Sequence, residues 1–91
     1  MSHTIREKAK LLARARRLRG QMEGIERALE AEKPCAEVLH QLAAARGALT
    51  GLMREVMEGH IASHIVDPAL ADTEREQGAD ELVAILRTYL K

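Results

Sequence analysis

Phenylalanine and tryptophan are absent from this chain, tyrosine occurs only at position 89 and cysteine only at position 35. Without large aromatics the apolar content is Leu, Ala, Val, Ile and Met, and 91 residues of that kind bury little as a monomer. Chains this small usually complete a core by association, so an obligate homo-oligomer is expected. A single cysteine excludes an internal disulfide. No apolar run is long enough to span a membrane and no secretory leader is recognisable, which predicts a cytoplasmic protein. The length is that of one domain, residues 1–91. Strand candidates, low-complexity segments, internal repeats and a phosphate-binding glycine loop are all missing from the pattern, leaving an all-α reading.

What the chain does have is unevenly distributed charge. The formal net charge is zero, yet Arg6, Lys8, Lys10, Arg14, Arg16, Arg17 and Arg19 are opposed locally only by Glu7. Between Asp67 and Glu81 the balance reverses, with Arg75 alone among six acids. One end of the chain seeks anions and the other repels them.

Three helices follow from periodicity. Ile5, Leu12, Ala15, Leu18, Met22, Ile25 and Leu29 recur at helical spacing and predict a first helix over residues 4 to about 31. Glu32-Lys33-Pro34 breaks it, and Pro34 suits the opening turn of the next helix because its missing N–H costs nothing there. So short a joint makes the two helices an antiparallel hairpin. The second helix runs to about Ile65 and ends at Asp67-Pro68, since the residue before proline is pushed out of the helical region. Thr73 with Glu76 fits a capping box, and Leu82, Val83, Leu86, Tyr89 and Leu90 predict a short third helix.

The second helix carries the candidate chemistry. His60 and His64 are four apart, share a helical face and are placed to hold one metal ion together. Cys35 lies ~37 Å away along a straight helix, too far to join them within one chain. Two copies crossing antiparallel near Ala48 and Leu49 bring Cys35 of one beside His60 and His64 of the other, twice per dimer. Ala43, Ala44, Ala45, Gly47, Ala48 and Gly51 permit close approach at the crossing, and Val38, Leu42, Ala45, Leu49, Leu52 and Val56 form a seam. A plainer reading stands beside this one: histidines near a helix end as solvated residues favoured by the dipole, and a lone cysteine as a small buried residue. His3 is either a loose side chain near the terminus or a further imidazole for the same ion, joined by a nitrogen of the N-terminus if Met1 is removed ahead of Ser2.

Arg6, Lys10, Arg14, Arg17 and Gln21 step by four, four, three and four along one face of the first helix, a stripe suited to tracking the phosphates of double-stranded DNA. The alternative is a solvated face. Seven cations against one acid, doubled by dimerisation, weigh toward the DNA reading.

Ser2-His3-Thr4-Ile5-Arg6, Arg19-Gly20-Gln21, Cys35, Arg46-Gly47-Ala48, Gly51-Leu52-Met53-Arg54-Glu55-Val56, Gly59-His60 and His64-Ile65-Val66 together resemble the CsoR/RcnR family of small all-helical bacterial repressors over nearly the whole length. The resemblance implies a dimer of dimers without a helix-turn-helix, binding operator DNA through the basic face of the first helix and releasing it when an inducer binds. Arg14 and Arg17 fall on matching positions, Lys10 and Gln21 less firmly. His3, Cys35, His60 and His64 with the N-terminal nitrogen are similar to the ligand set of the nickel and cobalt branch. Copper(I) sensors carry a second cysteine where this chain has His64. Formaldehyde sensors share Cys35 and often His60 but use proline at position 2, and they are the alternative reading.

The donor set suits Ni(II), Co(II) or Zn(II): six-coordination with the N-terminal nitrogen favours nickel and cobalt, a tetrahedral cage zinc. A metal buffer without DNA binding would need the site alone. An enzyme is not expected, because no general base stands beside the ligands and the seam offers little substrate pocket. No further protein partner is called for.

Overall fold

The computed structural model describes residues 3–90. It is all-helical: α1 His3–Arg6, α2 Lys8–Glu30, α3 Cys35–Ile61, a π-helical segment Ala62–Val66, and α4 Asp72–Tyr89. The described residues fall into two compact units, one formed by the chain through Arg6 with everything from Glu55 onward, the other by Glu7–Arg54.

In the Glu7–Arg54 unit, α2 and the adjoining turns of α3 form the expected antiparallel hairpin. Arg14, far from the joint on α2, lies beside Gly51 of α3, where an added Cβ would sit 3.5 Å from its guanidinium. The joint is a Schellman turn. Lys33 N–H reaches the Ala28 carbonyl at 3.0 Å and Glu32 N–H the Leu29 carbonyl at 3.1 Å, so the last carbonyls of α2 are satisfied. Glu32 takes the left-handed conformation that this motif requires, at φ 56°, where glycine is the usual occupant. Pro34 then offers its carbonyl to Glu37 and Val38 and opens α3.

The buried apolar residues of the hairpin are Ile25, Ala28 and Ala45. Around them Leu11, Ala15, Leu18 and Gln21 of α2 and Val38, Gln41, Ala48 and Leu52 of α3 are half-buried. The covered stripe of α2 is therefore rotated from the expected one, with Leu12, Met22 and Leu29 facing out, while on α3 Leu42 and Leu49, expected in a seam between copies, are exposed together with Leu39. The physical reason is that both helices carry apolar residues on two faces, and a two-helix hairpin covers only one of each.

In the other unit, the first helix proves not to be continuous. α1 stops at Arg6, and Glu7 sits at φ −101°, ψ 16°, outside helical geometry. Neither proline nor glycine marks this break, so tertiary contacts of α1 create it. α3 likewise does not run smoothly to Ile65, since its last turn widens into the π segment from Ala62 to Val66. Asp67, at ψ 119°, leaves the helix as a residue before proline must. Its carboxylate accepts the Ala69 N–H at 2.9 Å, folding the loop into an Asx turn.

The capping box at Thr73 and Glu76 is not the one used. α4 begins at Asp72, and Glu74 reaches back to the Ala71 N–H at 3.0 Å. Ala71 has no side-chain acceptor to return the bond, so only half of the reciprocal motif is made. α4 packs on the π segment.

Candidate metal centre

His60 lies in the last turn of α3 and His64 sits in the π segment, so one chain stretch projects both rings toward the same side. α1 supplies the third. His3, His60 and His64 offer nitrogen atoms that all lie within 4.8 Å of one another. The ring centroids are 4.9 Å apart for His60 and His64, 5.5 Å for His3 and His64, and 6.3 Å for His3 and His60. His3 and His60 are buried and His64 is half-buried. Metal–nitrogen bonds of ~2.1 Å place two donors at most ~4.2 Å apart across an ion, so small side-chain rotations close this cluster on a cation.

Two glycines make the arrangement possible. A Cβ at position 59 would come within 2.5 Å of His3 Nδ1 and 3.1 Å of its Cγ, so only glycine leaves space for the ring. A Cβ on Gly78 would collide with the His64 carbonyl, and Gly78 is thereby able to bring α4 against the π segment. The Gly78 carbonyl also lies 2.9 Å from His60 Nε2, a buried hydrogen bond. A carbonyl only accepts, so Nε2 carries the proton and Nδ1 holds the lone pair available to a metal. Arg6 closes α1 onto this wall by donating to Ser63 Oγ at 2.7 Å.

Of the four expected ligands the structure thus gathers His3, His60 and His64. Cys35 is exposed at the start of α3 and does not belong to the cluster. The N-terminal nitrogen lies on Met1 or Ser2, outside the described residues. Gly78 and Ser63 were not singled out from the sequence, and Gly59 and Arg75 were noted there without a role at the site. A glycine inside a helical pattern next to a candidate ligand is the signal by which the two glycines are findable.

On the basic face, Lys10, Arg14 and Arg17 are exposed and line a shallow depression with Ala13. Gln21 is placed differently: it is half-buried, and its Oε1 is enclosed without a hydrogen bond. Arg6 is engaged with Ser63. Arg19 forms an exposed ion pair with Glu23 at 3.9 Å.

An all-helical chain with a basic helix and a buried three-histidine cluster is the form of a metal-responsive regulator. Residues 7–88 match the metal-sensitive transcriptional repressor family, and the chain belongs to it. It is a regulatory protein rather than a catalyst, of a family that acts on DNA. Aligned end to end over 91 residues, covering all of both chains, it is 50% identical to an uncharacterised protein encoded beside bioA in Serratia marcescens. Over the same full span it is 46% identical to the transcriptional repressor RcnR of Escherichia coli K12. Among solved structures it is similar to a variant of the formaldehyde-responsive regulator FrmR from Salmonella enterica serovar Typhimurium, in which histidine replaces a glutamate. That likeness has a TM-score of 0.85 and 43% identity, covering 92% of this chain and 94% of the other. No helix among the described residues is long and apolar enough to cross a membrane.

Proposed function

We propose that this chain is a cytoplasmic repressor, one functional domain over residues 1–91, that holds operator DNA and releases it when Ni(II) or Co(II) binds. The gathering of His3, His60 and His64 around one point carries the reading. Three neutral imidazoles form a borderline donor set that Ni(II), Co(II) and Zn(II) accept and hard cations do not. His60 presents Nδ1 because Gly78 holds its other nitrogen, and His3 is kept against Gly59 by the shape of the backbone. Cys35 completes the set from a second copy, in an antiparallel dimer that assembles further into a dimer of dimers. The outward-facing Leu39, Leu42 and Leu49 supply apolar surface for association.

On the DNA side, Lys10, Arg14 and Arg17 neutralise phosphates, and Gln21 completes the face at its inner edge. Dimerisation doubles this surface, so affinity depends on the helices of two copies being held in register with the backbone. His3, His60 and His64 would hold the ion, and closing the cluster on it would reach the basic helix through the chain from His3 to Lys8, so that DNA is released.

The formaldehyde reading is favoured by the likeness to FrmR. It uses the Cys35 thiol and an N-terminal amine, joined by one carbon of the aldehyde with loss of water, and has no need of His64. Fluorescence anisotropy with a fragment carrying the chain's own upstream DNA, at fixed salt, separates the readings. Ni(II) or Co(II) at micromolar free concentration is expected to release the fragment, and the His64→Ala variant is expected to stay bound. Release by formaldehyde alone, unchanged in His64→Ala, would replace the metal reading by the aldehyde one. Absence of specific retention would leave a metal buffer.

A further inference from the structure

The acidic stretch from Asp67 to Glu81 contains one cation, Arg75, and its guanidinium does not serve its acidic neighbours first. Nε donates to the Ile65 carbonyl at 2.8 Å and one terminal nitrogen to the Asp67 carbonyl at 3.1 Å. The remaining ion pair, to Asp72, is longer at 3.7 Å and reaches a fully exposed carboxylate. Ile65 follows His64 directly within the π segment, and Asp67 caps the segment's end. Pro68 has no N–H with which to continue the helical ladder, and the Asp67 carbonyl, which accepts the Leu70 N–H at 3.2 Å, takes the Arg75 bond as a second one. A planar fork with donors fixed in direction is suited to holding two such carbonyls at once.

One turn further along α4, on the same face, Gly78 accepts the hydrogen bond of His60 and lies against the His64 carbonyl. A single turn of α4 therefore fixes both histidines of the pair while contributing no ligand itself. Groups that orient a ligating imidazole commonly alter metal affinity by 10–100-fold. We infer that Arg75 is a positioning residue for the metal centre, setting the direction of the His64 ring by clamping the carbonyls of Ile65 in the π segment and of Asp67 at its cap. This inference rests on the metal reading of the histidine cluster.

The test is a Co(II) titration of the full assembled chain, following the ligand-field bands in the visible spectrum, with Arg75→Ala, Arg75→Lys and His64→Ala compared with the natural sequence. Arg75→Ala is expected to weaken Co(II) at least tenfold and to shift or broaden the bands. Arg75→Lys keeps one donor and no fork, and is expected to fall between. A purely structural role would lower the melting temperature of the metal-free protein but leave affinity within threefold and the bands in place. That result overturns the inference, as does weaker binding with an unaltered spectrum. Should Arg75→Ala fail to fold by circular dichroism, the lysine variant decides by the same criteria. If His64→Ala binds Co(II) as tightly as the natural chain and with the same bands, the metal reading itself falls, which the Arg75 variants alone could not bring about.

Discussion

Arg6 donates a hydrogen bond to Ser63 at 2.7 Å, and Ser63 immediately precedes His64. The first helical turn is thus tied to the π segment by this bond and to the last turn of α3 by the His3 ring seated on Gly59. Arg6 heads the basic series in sequence, yet its guanidinium is committed to the sensing region. An exposed hydrogen bond of this kind contributes about 1 kcal/mol. Ser63→Ala should therefore weaken Ni(II) about fivefold while leaving helix content unchanged, as read by competition with a chromogenic chelator. Equal affinity in variant and natural protein would mean that α1 is held by His3 alone.

The exposed cations of α2 carry a separate prediction. Lys10→Ala, Arg14→Ala and Arg17→Ala should each weaken operator binding and reduce the slope of log affinity against log salt by about one unit, with metal affinity unchanged. Gln21 is uncharged and half-buried, so Gln21→Ala should leave that slope as it is. Anisotropy titrations at several salt concentrations decide this. A slope indifferent to all three cations would put the DNA surface elsewhere.

Cross-protomer completion of the metal centre is testable by subunit exchange. Cys35→Ala and His64→Ala should each lose high-affinity Ni(II) alone, and an equimolar mixture should regain one intact site per heterodimer. Random exchange makes half of the dimers heterodimers, so binding at about a quarter of the natural stoichiometry is the expected reading on a Ni(II)-thiolate charge-transfer band. No recovery after demonstrated exchange would separate Cys35 from the histidines.

Glu32 offers a stability prediction independent of function. A side chain in the left-handed region costs about 1–2 kcal/mol relative to glycine, partly offset by the greater freedom of glycine in the unfolded chain. Glu32→Gly should stabilise the protein by about 0.5–1 kcal/mol in urea unfolding, with metal and DNA affinities unaltered. Destabilisation would indicate that the Glu32 side chain makes a compensating contact in the assembled protein.

Helical class, the hairpin, its joint and the helix stop at Asp67 were legible because proline and the apolar period act locally. The His60 and His64 pair was legible for the same reason. The break at Glu7 was not, because nothing in Ile5-Arg6-Glu7-Lys8 disfavours a helix; Arg6 and His3 make contacts with residues some 57 positions away that override propensity. Rotation of the apolar stripe was hidden because Leu11 and Leu12 are equally suited to burial, and choosing between them needs the partner helix. His3 could be ranked only as a residue near a terminus until Gly59 showed a seat for it. Cys35 remains where the sequence placed it, at the far end of α3 and exposed.

The π segment has a consequence for how this chain can change in length. A π turn is equivalent to one residue spliced into a helix, and removing any one of the five residues from 62 to 66 would restore α-helical phase downstream. Each residue of an α-helix advances the direction of its side chain by ~100°. Such a deletion would swing His64 or the residues after it around the axis, whereas the loop from Pro68 to Ala71 has no phase to lose. Spacing between His60 and Asp67 is therefore under a counting constraint, independent of which apolar residues fill it, and descendants of this chain can vary the composition of that stretch but not its number.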